Sequence, residues 1–171
     1  ASVTAGTQGG AMALAGAYAS GRGAVGIGNQ NSNGSYGALG YGSVAIGANA
    51  KSASSSDYAF GGSAVASGGF STALGTGCSA TGSSSVSIGR SNTASGTMAT
   101  VAGGEYSTAS GSYSYASGYR STASGTYSYA SGLRSVSAIY GKNTYASGRF
   151  AADGDAQGSQ FILRADTTDA T

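Results

Sequence analysis

The sequence contains no histidine, no proline and no tryptophan, has a single cysteine, and has only 8% charged residues. Without histidine, the side chain most often used for acid–base and triad catalysis is missing. The six carboxylates show no pair that the sequence would hold on one rigid face, and Asp153-Gly-Asp155 lacks the further ligands of a calcium loop, which favours a turn. We therefore expect no enzyme activity, no metal and no cofactor.

Charge and hydrophobic runs exclude two further classes of partner. The eight Lys and Arg residues are scattered and the net charge is +2, so no basic run indicates nucleic-acid binding. No stretch approaches the roughly 20 apolar residues of a membrane span, so we expect no direct membrane insertion of this segment. The single Cys78 cannot form an intrachain disulfide, and we expect it to be a small buried side chain inside the fold.

Large apolar side chains are too few for an ordinary globular core. Val, Ile, Leu, Met and Phe number 23 of 171 residues, against 32 glycines. Such a chain is either disordered or orders itself by regular hydrogen bonding and by burying surface against copies of itself. Disordered chains usually carry proline, many charges and few aromatics, whereas this one has 12 tyrosines at regular positions. The composition favours an ordered repeat.

Glycine recurs every seven residues. Typical units are Ser43-Val-Ala-Ile-Gly47 and Ser71-Thr-Ala-Leu-Gly75, with Ser54 in place of one glycine and a one-residue insertion before Gly111. A glycine in every heptad of a helix costs about 1 kcal/mol each, and the small/large alternation has the period of a strand. Each unit is therefore predicted to be a short strand closed by a glycine turn with positive φ.

Units with large and with small side chains alternate, so fourteen residues make one coil of two strands. Only the Ser and Ala of the motif fit inside so thin a coil, and the bulkier face of every second strand must be covered by other copies around a symmetry axis. Nine coils from Val25 to Tyr145 predict a rod of roughly 40 Å. The residues predicted to form the shared core are Val44, Ile46, Tyr58, Phe60, Leu74, Val86, Ile88, Tyr115, Tyr129 and Tyr145.

These motifs resemble the YadA-like head repeats of trimeric autotransporter adhesins, a module that also occurs in bacteriophage tail fibres. The resemblance rests on Ser43–Gly47, Ser85–Gly89, Ala50–Ala53 and the Ala-Ser-Gly repeats. It implies an all-β fold, a left-handed parallel β-roll or solenoid with 14-residue coils, in an intertwined or side-by-side homotrimer. The handedness and the trimer are implied by the resemblance alone.

The resemblance also implies an organisation and a function. Residues 1–40 would be degenerate N-terminal coils with an inserted loop, 41–148 the regular roll, and 149–171 the start of a C-terminal β-rich module whose first strand is Phe161–Leu163. The last tract resembles one that follows such repeats in phage tail fibres, and no adhesin-type neck is seen after the roll. We expect a structural, receptor-contacting segment of a tail fibre in the virion; the alternative is an adhesin head at the bacterial cell surface or outer membrane, extracellular, that binds host matrix or cells.

The expected partners are two identical chains and a host cell-surface receptor, either protein or polysaccharide. Tyr113, Tyr127, Arg120 and Arg134 recur at a spacing of fourteen and are the candidate ligand-facing residues, because Tyr and Arg are favoured in recognition surfaces. The alternative is that they stack on their equivalents at turn corners. A third function class, an ice-binding solenoid, is disfavoured because Thr93, Thr108 and Thr122 make only a single file.

Overall fold

The computed structural model describes residues 9–28 and 35–160, together with the backbone of Thr4–Ala5. Over this part the chain forms two β-sheets and no helix, and successive strands alternate between the sheets up to β20. The short sheet contains β1 (Thr4–Ala5), β3 (Tyr18–Ala19), β5 (Gly37–Ala38), β7 (Lys51–Ser52), β9 (Val65–Ala66), β11 (Ser79–Ala80), β13 (Thr93–Ala94), β15 (Thr108–Ala109), β17 (Thr122–Ala123) and β19 (Val136–Ser137). The long sheet contains β2 (Met12–Leu14), β4 (Val25–Ile27), β6 (Val44–Ile46), β8 (Tyr58–Phe60), β10 (Thr72–Thr76), β12 (Val86–Arg90), β14 (Thr100–Glu105), β16 (Tyr115–Tyr119), β18 (Tyr129–Leu133), β20 (Asn143–Ser147) and β21 (Gln157–Gln160).

Strands pair with the equivalent strand of the next coil, in parallel and in register. In the long sheet Ala45 lies beside Ala59, and Ala59 beside Ala73, so the repeat is fourteen residues. The short sheet keeps the same step, with Ala66 beside Ala80. The chain is thus an all-β parallel solenoid that rises by one strand spacing, about 4.8 Å, per coil. This confirms the predicted 14-residue coil.

Small side chains fill the interior between the two sheets. Ala59 and Ala73 of the long sheet and Ala66 and Ala80 of the short sheet are all 0% exposed. Among the fully buried residues that the structure describes, the largest is Val101. Cys78 occupies one of these interior positions at a turn and is also buried, as expected. The interior is narrow because each coil has only two strands, and therefore no large side chain fits.

The unit-ending glycines are required for two different reasons. A Cβ on Gly68 would collide with the carbonyl oxygen of Gly82 in the next coil, and one on Gly75 with that of Gly89, so the coils stack too closely for side chains here. Gly75 also has a positive φ of 122°, whereas Gly68 does not lie in the positive region. The prediction of positive-φ glycine turns is therefore wrong for the glycines that follow the short-sheet strands: Gly40, Gly68, Gly82, Gly96, Gly111 and Gly125.

Most of the left-handed turn residues at the corners are not glycine. Ser84, Met98 and Tyr113 have φ values of 54°, 54° and 57°. Each donates its backbone N–H to a carbonyl of the preceding coil, as Ser84 does to Gly69 at 2.9 Å. A left-handed conformation costs a residue with a side chain roughly 1–2 kcal/mol. The corner hydrogen bonds offset that cost, so the stacking of coils, rather than local preference, decides the turn conformation.

The one-residue insertion is absorbed as a bulge in β14. The register shifts between Ile88 and Arg90 on one side of this strand, where Gly103 and Gly104 both have positive φ. The buried Asn92 bridges the irregularity: its Nδ2 donates to the carbonyls of Ile88 (2.7 Å) and Gly104 (2.9 Å). Its Oδ1 accepts the N–H of Ser107 at 2.8 Å. Both N–H protons and the oxygen of this buried amide thus have hydrogen-bond partners.

One predicted core residue takes a different place in the register. Tyr145 was predicted as a core residue although it comes two residues later than the fourteen-residue step from Tyr129, and the pairing places Asn143 beside Tyr129 and Tyr145 beside Ser131. The backbone pairing keeps its fourteen-residue step here without an insertion. The tyrosine is therefore found two positions further along the strand, and the register of the strands is unchanged. Tyr145 lies on the expected face but in the neighbouring file.

The end of the roll is covered by a segment that runs back across it. The strand β21 pairs antiparallel with β20, the first departure from parallel pairing in the described part. The side chain of Gln157 accepts the N–H of Val136 (2.7 Å) and donates to its carbonyl (2.8 Å), which covers the open edge of the short sheet. The predicted strand Phe161–Leu163 and the loop residues 29–34 lie outside the described residues.

Candidate functional site

The outer face of the long sheet carries two files of larger side chains. The first file runs through Val25, Val44, Tyr58, Thr72, Val86 and Thr100, and the second through Ile27, Ile46, Phe60, Leu74, Ile88 and Ala102. Although apolar, Leu74 is 45% exposed and Tyr58 39% exposed in the single chain. The rod therefore has a continuous apolar face, which we call the long-sheet face, open to solvent along several coils.

Towards the C-terminus the long-sheet face becomes aromatic and polar. Tyr115 and Tyr129 are adjacent in the first file, and their rings stack at 4.6 Å with an interplanar angle of 2°. Beside them Ser117 and Ser131 take the places held earlier by Ile and Leu. All ten residues predicted for a shared core lie on this face, but its two halves offer different chemistry to a partner.

The short sheet offers a much narrower outer surface. Thr93, Thr108 and Thr122 form a single file, because each of these strands has two residues and only one points outward. Val136 continues the file. No paired threonine array of the kind that an ice-binding surface requires occurs on the short sheet within the described ranges.

The tyrosine and arginine candidates lie at opposite corners of the coil. Tyr113 and Tyr127 are left-handed residues at the corner that enters the long sheet, and their rings stack at 4.8 Å with an interplanar angle of 10°. Tyr140 packs edge-on against Tyr127 at 5.5 Å. Arg120 and Arg134 occupy the corner that leaves the long sheet. The tyrosines therefore stack on their equivalents in the next coil, which is one of the two interpretations that the sequence left open. Because the tyrosines and the arginines lie at opposite corners, Tyr113, Tyr127, Arg120 and Arg134 do not form one site.

The arginine corner gathers residues that the sequence reasoning missed. The guanidinium carbon of Arg120 lies 5.6 Å from the ring centroids of both Tyr106 and Tyr119, and that of Arg134 lies 5.9 Å from Tyr119. Tyr106 precedes Arg120 by fourteen residues, the same step that separates Arg120 from Arg134. The fourteen-residue period could therefore have predicted that Tyr106 lies at this corner. The missing information was that Tyr119 projects from β16 towards the same corner.

The returning C-terminal segment brings a carboxylate to this corner. Asp153 Oδ1 lies 2.9 Å from Nη1 of Arg134 and 3.3 Å from Nη1 of Arg149. The hydrogen bond from Arg134 is the main cause that holds the pKa of Asp153 below its ordinary value. Asp155 accepts the backbone N–H groups of Phe150, Ala151 and Ala152, and these bonds lower its pKa as well. The Asp153-Gly-Asp155 tract thus forms a turn in which each carboxylate has defined partners.

A shallow cavity of about 340 Å³ opens at the arginine corner and is lined by Tyr106, Arg120, Thr122 and Asp153. A second, of about 270 Å³, lies beside Tyr145 and Gln160 at the end of the long sheet. Among the residues described, no group of three or more Cys, Asp or Glu side chains is placed to hold a metal ion. In the same part of the chain there is no helix of the length and apolarity needed to cross a membrane.

Comparison with known families gives a match along most of the regular coils. The family model described as YadA head domain repeat (2 copies) matches residues 38–56, 54–77, 80–103, 102–128 and 116–137. Together these segments cover more than half of the chain. No curated protein sequence matches the chain significantly.

Proposed function

Because the chain belongs to the family of YadA head domain repeats, we propose that it is a stiff, non-catalytic segment of a homotrimeric surface fibre, specifically of a bacteriophage tail fibre that contacts a host receptor. Two parallel sheets with their interiors filled by Ala and Ser make a rod whose length depends only on the number of coils. Such a rod suits a spacer that presents repeated side chains far from the particle to which it is attached.

The observation that carries the proposal is the apolar long-sheet face. Side chains such as Ile46, Leu74 and Ile88 recur in register along the rod, and the interior of the coil is too narrow to take them. A soluble chain rarely leaves so extended an apolar strip exposed, and identical copies around an axis offer the simplest cover. In the proposed trimer this face lies at the axis, and the corners remain accessible to a receptor.

The tail-fibre assignment is supported by the tract after the roll. In the described part, Arg149–Gln160 turns back and pairs antiparallel with β20, so the parallel roll passes into a different β-rich arrangement. The resemblance of this tract to phage tail-fibre sequences favours the virion. The family match itself favours the second candidate, an extracellular adhesin head on the bacterial cell surface.

Immunogold electron microscopy distinguishes the two candidates. Antibodies raised against the purified chain are applied to phage particles released from the producing culture and to the bacterial cells themselves. We expect gold particles on phage tails, and label that disappears after adsorption of the antibody with the purified chain. Label on the cell envelope, with none on particles, would reject the tail fibre in favour of the adhesin head.

A further inference from the structure

Arg120 stands out on its corner of the rod because aromatic rings lie against its guanidinium and no described carboxylate is within ion-pair distance of it. Its guanidinium lies over the rings of Tyr106 and Tyr119, and within the described ranges it makes no ion pair. The other arginines along this edge do have carboxylate partners: Arg90 pairs with Glu105, and Arg134 and Arg149 pair with Asp153. Arg120 is thus held in place by the two rings, with its hydrogen-bonding fork available.

The guanidinium forms part of the shallow, open cavity of about 340 Å³. Tyr106 and Thr122 line this cavity together with Arg120, and Asp153 borders it from the returning C-terminal segment. The volume lies at the lower end of the range of small-molecule sites, roughly 300–1,000 Å³. It suits one small ring with substituents rather than an extended chain.

The charges around the cavity favour an anionic ligand. The carboxylate of Asp153 is neutralised by Arg134 and Arg149, and that of Glu105 by Arg90. Among the described residues at this corner, Arg120 therefore has a charge with no counterion in contact. A planar guanidinium binds a carboxylate through two parallel hydrogen bonds, a geometry that a lysine cannot provide.

The remaining groups distinguish a sugar acid from a simple anion. Asp153 offers acceptor oxygens only, which can accept hydrogen bonds from sugar hydroxyls. Thr122 supplies a hydroxyl that donates and accepts, and the exposed ring of Tyr106 offers an apolar face to the C–H groups of a sugar. The cavity thus combines one cation, one acceptor, one hydroxyl and one aromatic surface.

We propose that this cavity binds a carboxylate-bearing sugar residue of an acidic polysaccharide, with the carboxylate on Arg120, the ring against Tyr106 and hydroxyls on Thr122 and Asp153. The inference rests on the proposed receptor-contacting function and specifies its ligand class. An open cavity of this size binds weakly by itself. Three copies on one fibre, and many fibres on one particle, convert weak contacts into firm attachment.

The test is an isothermal titration of the complete 171-residue chain with tri-galacturonic acid, and with its fully methyl-esterified form as a neutral control. We expect saturable binding of the acid at least tenfold tighter than of the ester. Arg120→Gln should lower the affinity for the acid at least tenfold. Arg120→Lys should lower it less, because lysine keeps the positive charge but cannot make the two parallel hydrogen bonds of a guanidinium. Arg22→Gln, the same charge change at an exposed arginine near the other end of the rod, should bind as the unaltered chain does.

Three results would overturn the inference: equal binding of acid and ester, unchanged binding by Arg120→Gln, or equally tight binding of inorganic phosphate or of a tri-glutamate peptide. If Arg120→Gln does not fold, Thr122→Val provides a second variant, with an expected loss of several-fold. Sedimentation of the same samples separates this inference from the proposed function. A trimer that does not bind the acid rejects only the sugar site, whereas binding by a monomer rejects only the trimer.

Discussion

Oδ1 of the buried Asp57 accepts both the backbone N–H (3.0 Å) and the hydroxyl (2.8 Å) of Ser71, the residue fourteen positions later. Its Oδ2 accepts the N–H of Ser54 at 2.8 Å. Ser54 is the residue that replaces a unit-ending glycine in the seven-residue repeat. A carboxylate in the interior thus joins two consecutive coils where the glycine repeat is interrupted.

Replacing Asp57 with alanine should destabilise the fold. Asp57→Ala leaves the buried N–H groups of Ser54 and Ser71 without acceptors, at about 1–3 kcal/mol for each unsatisfied group. The control is Ser85→Ala at the equivalent position two coils later, where the buried hydroxyl has no hydrogen-bond partner among the described residues. We expect Ser85→Ala to be close to neutral in urea unfolding. Equal losses for the two variants would contradict this account of Asp57.

The close stacking of coils predicts unequal effects for two glycines of the same seven-residue unit, Gly62 and Gly68. Gly68→Ala places a Cβ against the backbone of Gly82, so the coils must separate and we expect a loss of several kcal/mol or failure to fold. At Gly62 a Cβ meets nothing within 4 Å and φ is not positive, so Gly62→Ala should be neutral or mildly stabilising. Thermal unfolding followed by circular dichroism measures both, and a tolerated Gly68→Ala would disprove the stacking argument.

Two neighbouring serines should respond with opposite sign to replacement by glycine. Ser84 has a φ of 54°, and Ser84→Gly relieves a left-handed strain of roughly 1–2 kcal/mol, less the entropy that glycine loses on folding. We expect a net gain of up to about 1 kcal/mol. Ser83 is exposed and not in the positive region, so Ser83→Gly should lose about 0.5–1 kcal/mol. The midpoints of chemical denaturation of the two variants, compared with that of the unaltered chain, measure both effects. Destabilisation by Ser84→Gly would contradict the prediction.

Charge on the long-sheet face should break the proposed trimer. Leu74→Lys places an ammonium group at the proposed axis in three copies, where it is desolvated and repelled, so we expect monomers in analytical ultracentrifugation at concentrations at which the unaltered chain is trimeric. The matched control is Val65→Lys on the short sheet, in the file where Lys51 already lies. A trimer that persists with Leu74→Lys, or that is lost equally with Val65→Lys, would refute the assigned interface.

Acid should release the segment that covers the end of the roll. The pKa of Asp155 is lowered by the N–H groups of Ala152, Ala151 and Phe150, so its contribution to stability is present above the ordinary value of 3.8 and is lost as pH falls through the lowered pKa. We expect the amide resonances of these three residues to shift in NMR spectra only below about pH 4. In Asp155→Asn the amide resonances of the same three residues should be shifted already at neutral pH. If neither acid nor this substitution shifts them, the hydrogen bonds assigned to Asp155 in the covering segment are wrong.

The arginine corner shows where sequence reasoning stopped. Tyr106, Arg120 and Arg134 follow the fourteen-residue step and were accessible to it, and two of them were named. Tyr119 and Asp153 could not be assigned to this corner from the sequence, because neither belongs to that series. Tyr119 projects from the end of β16, and Asp153 comes from the segment that turns back after the roll. Tyr113 and Tyr127 share the same step but occupy the opposite corner, since seven residues separate the two turns of a coil.

The sequence by itself determined the fourteen-residue coil, the two alternating strands, the small interior and the apolar outer face. It did so because each of these depends on a period in the chain, and a parallel register repeats that period without change. Only the tertiary structure decided why glycine ends the units, which non-glycine residues adopt left-handed turns, and where Asp153 and Tyr145 lie. Those features depend on the distance between stacked coils and on a return of the chain, and no local pattern encodes either of them.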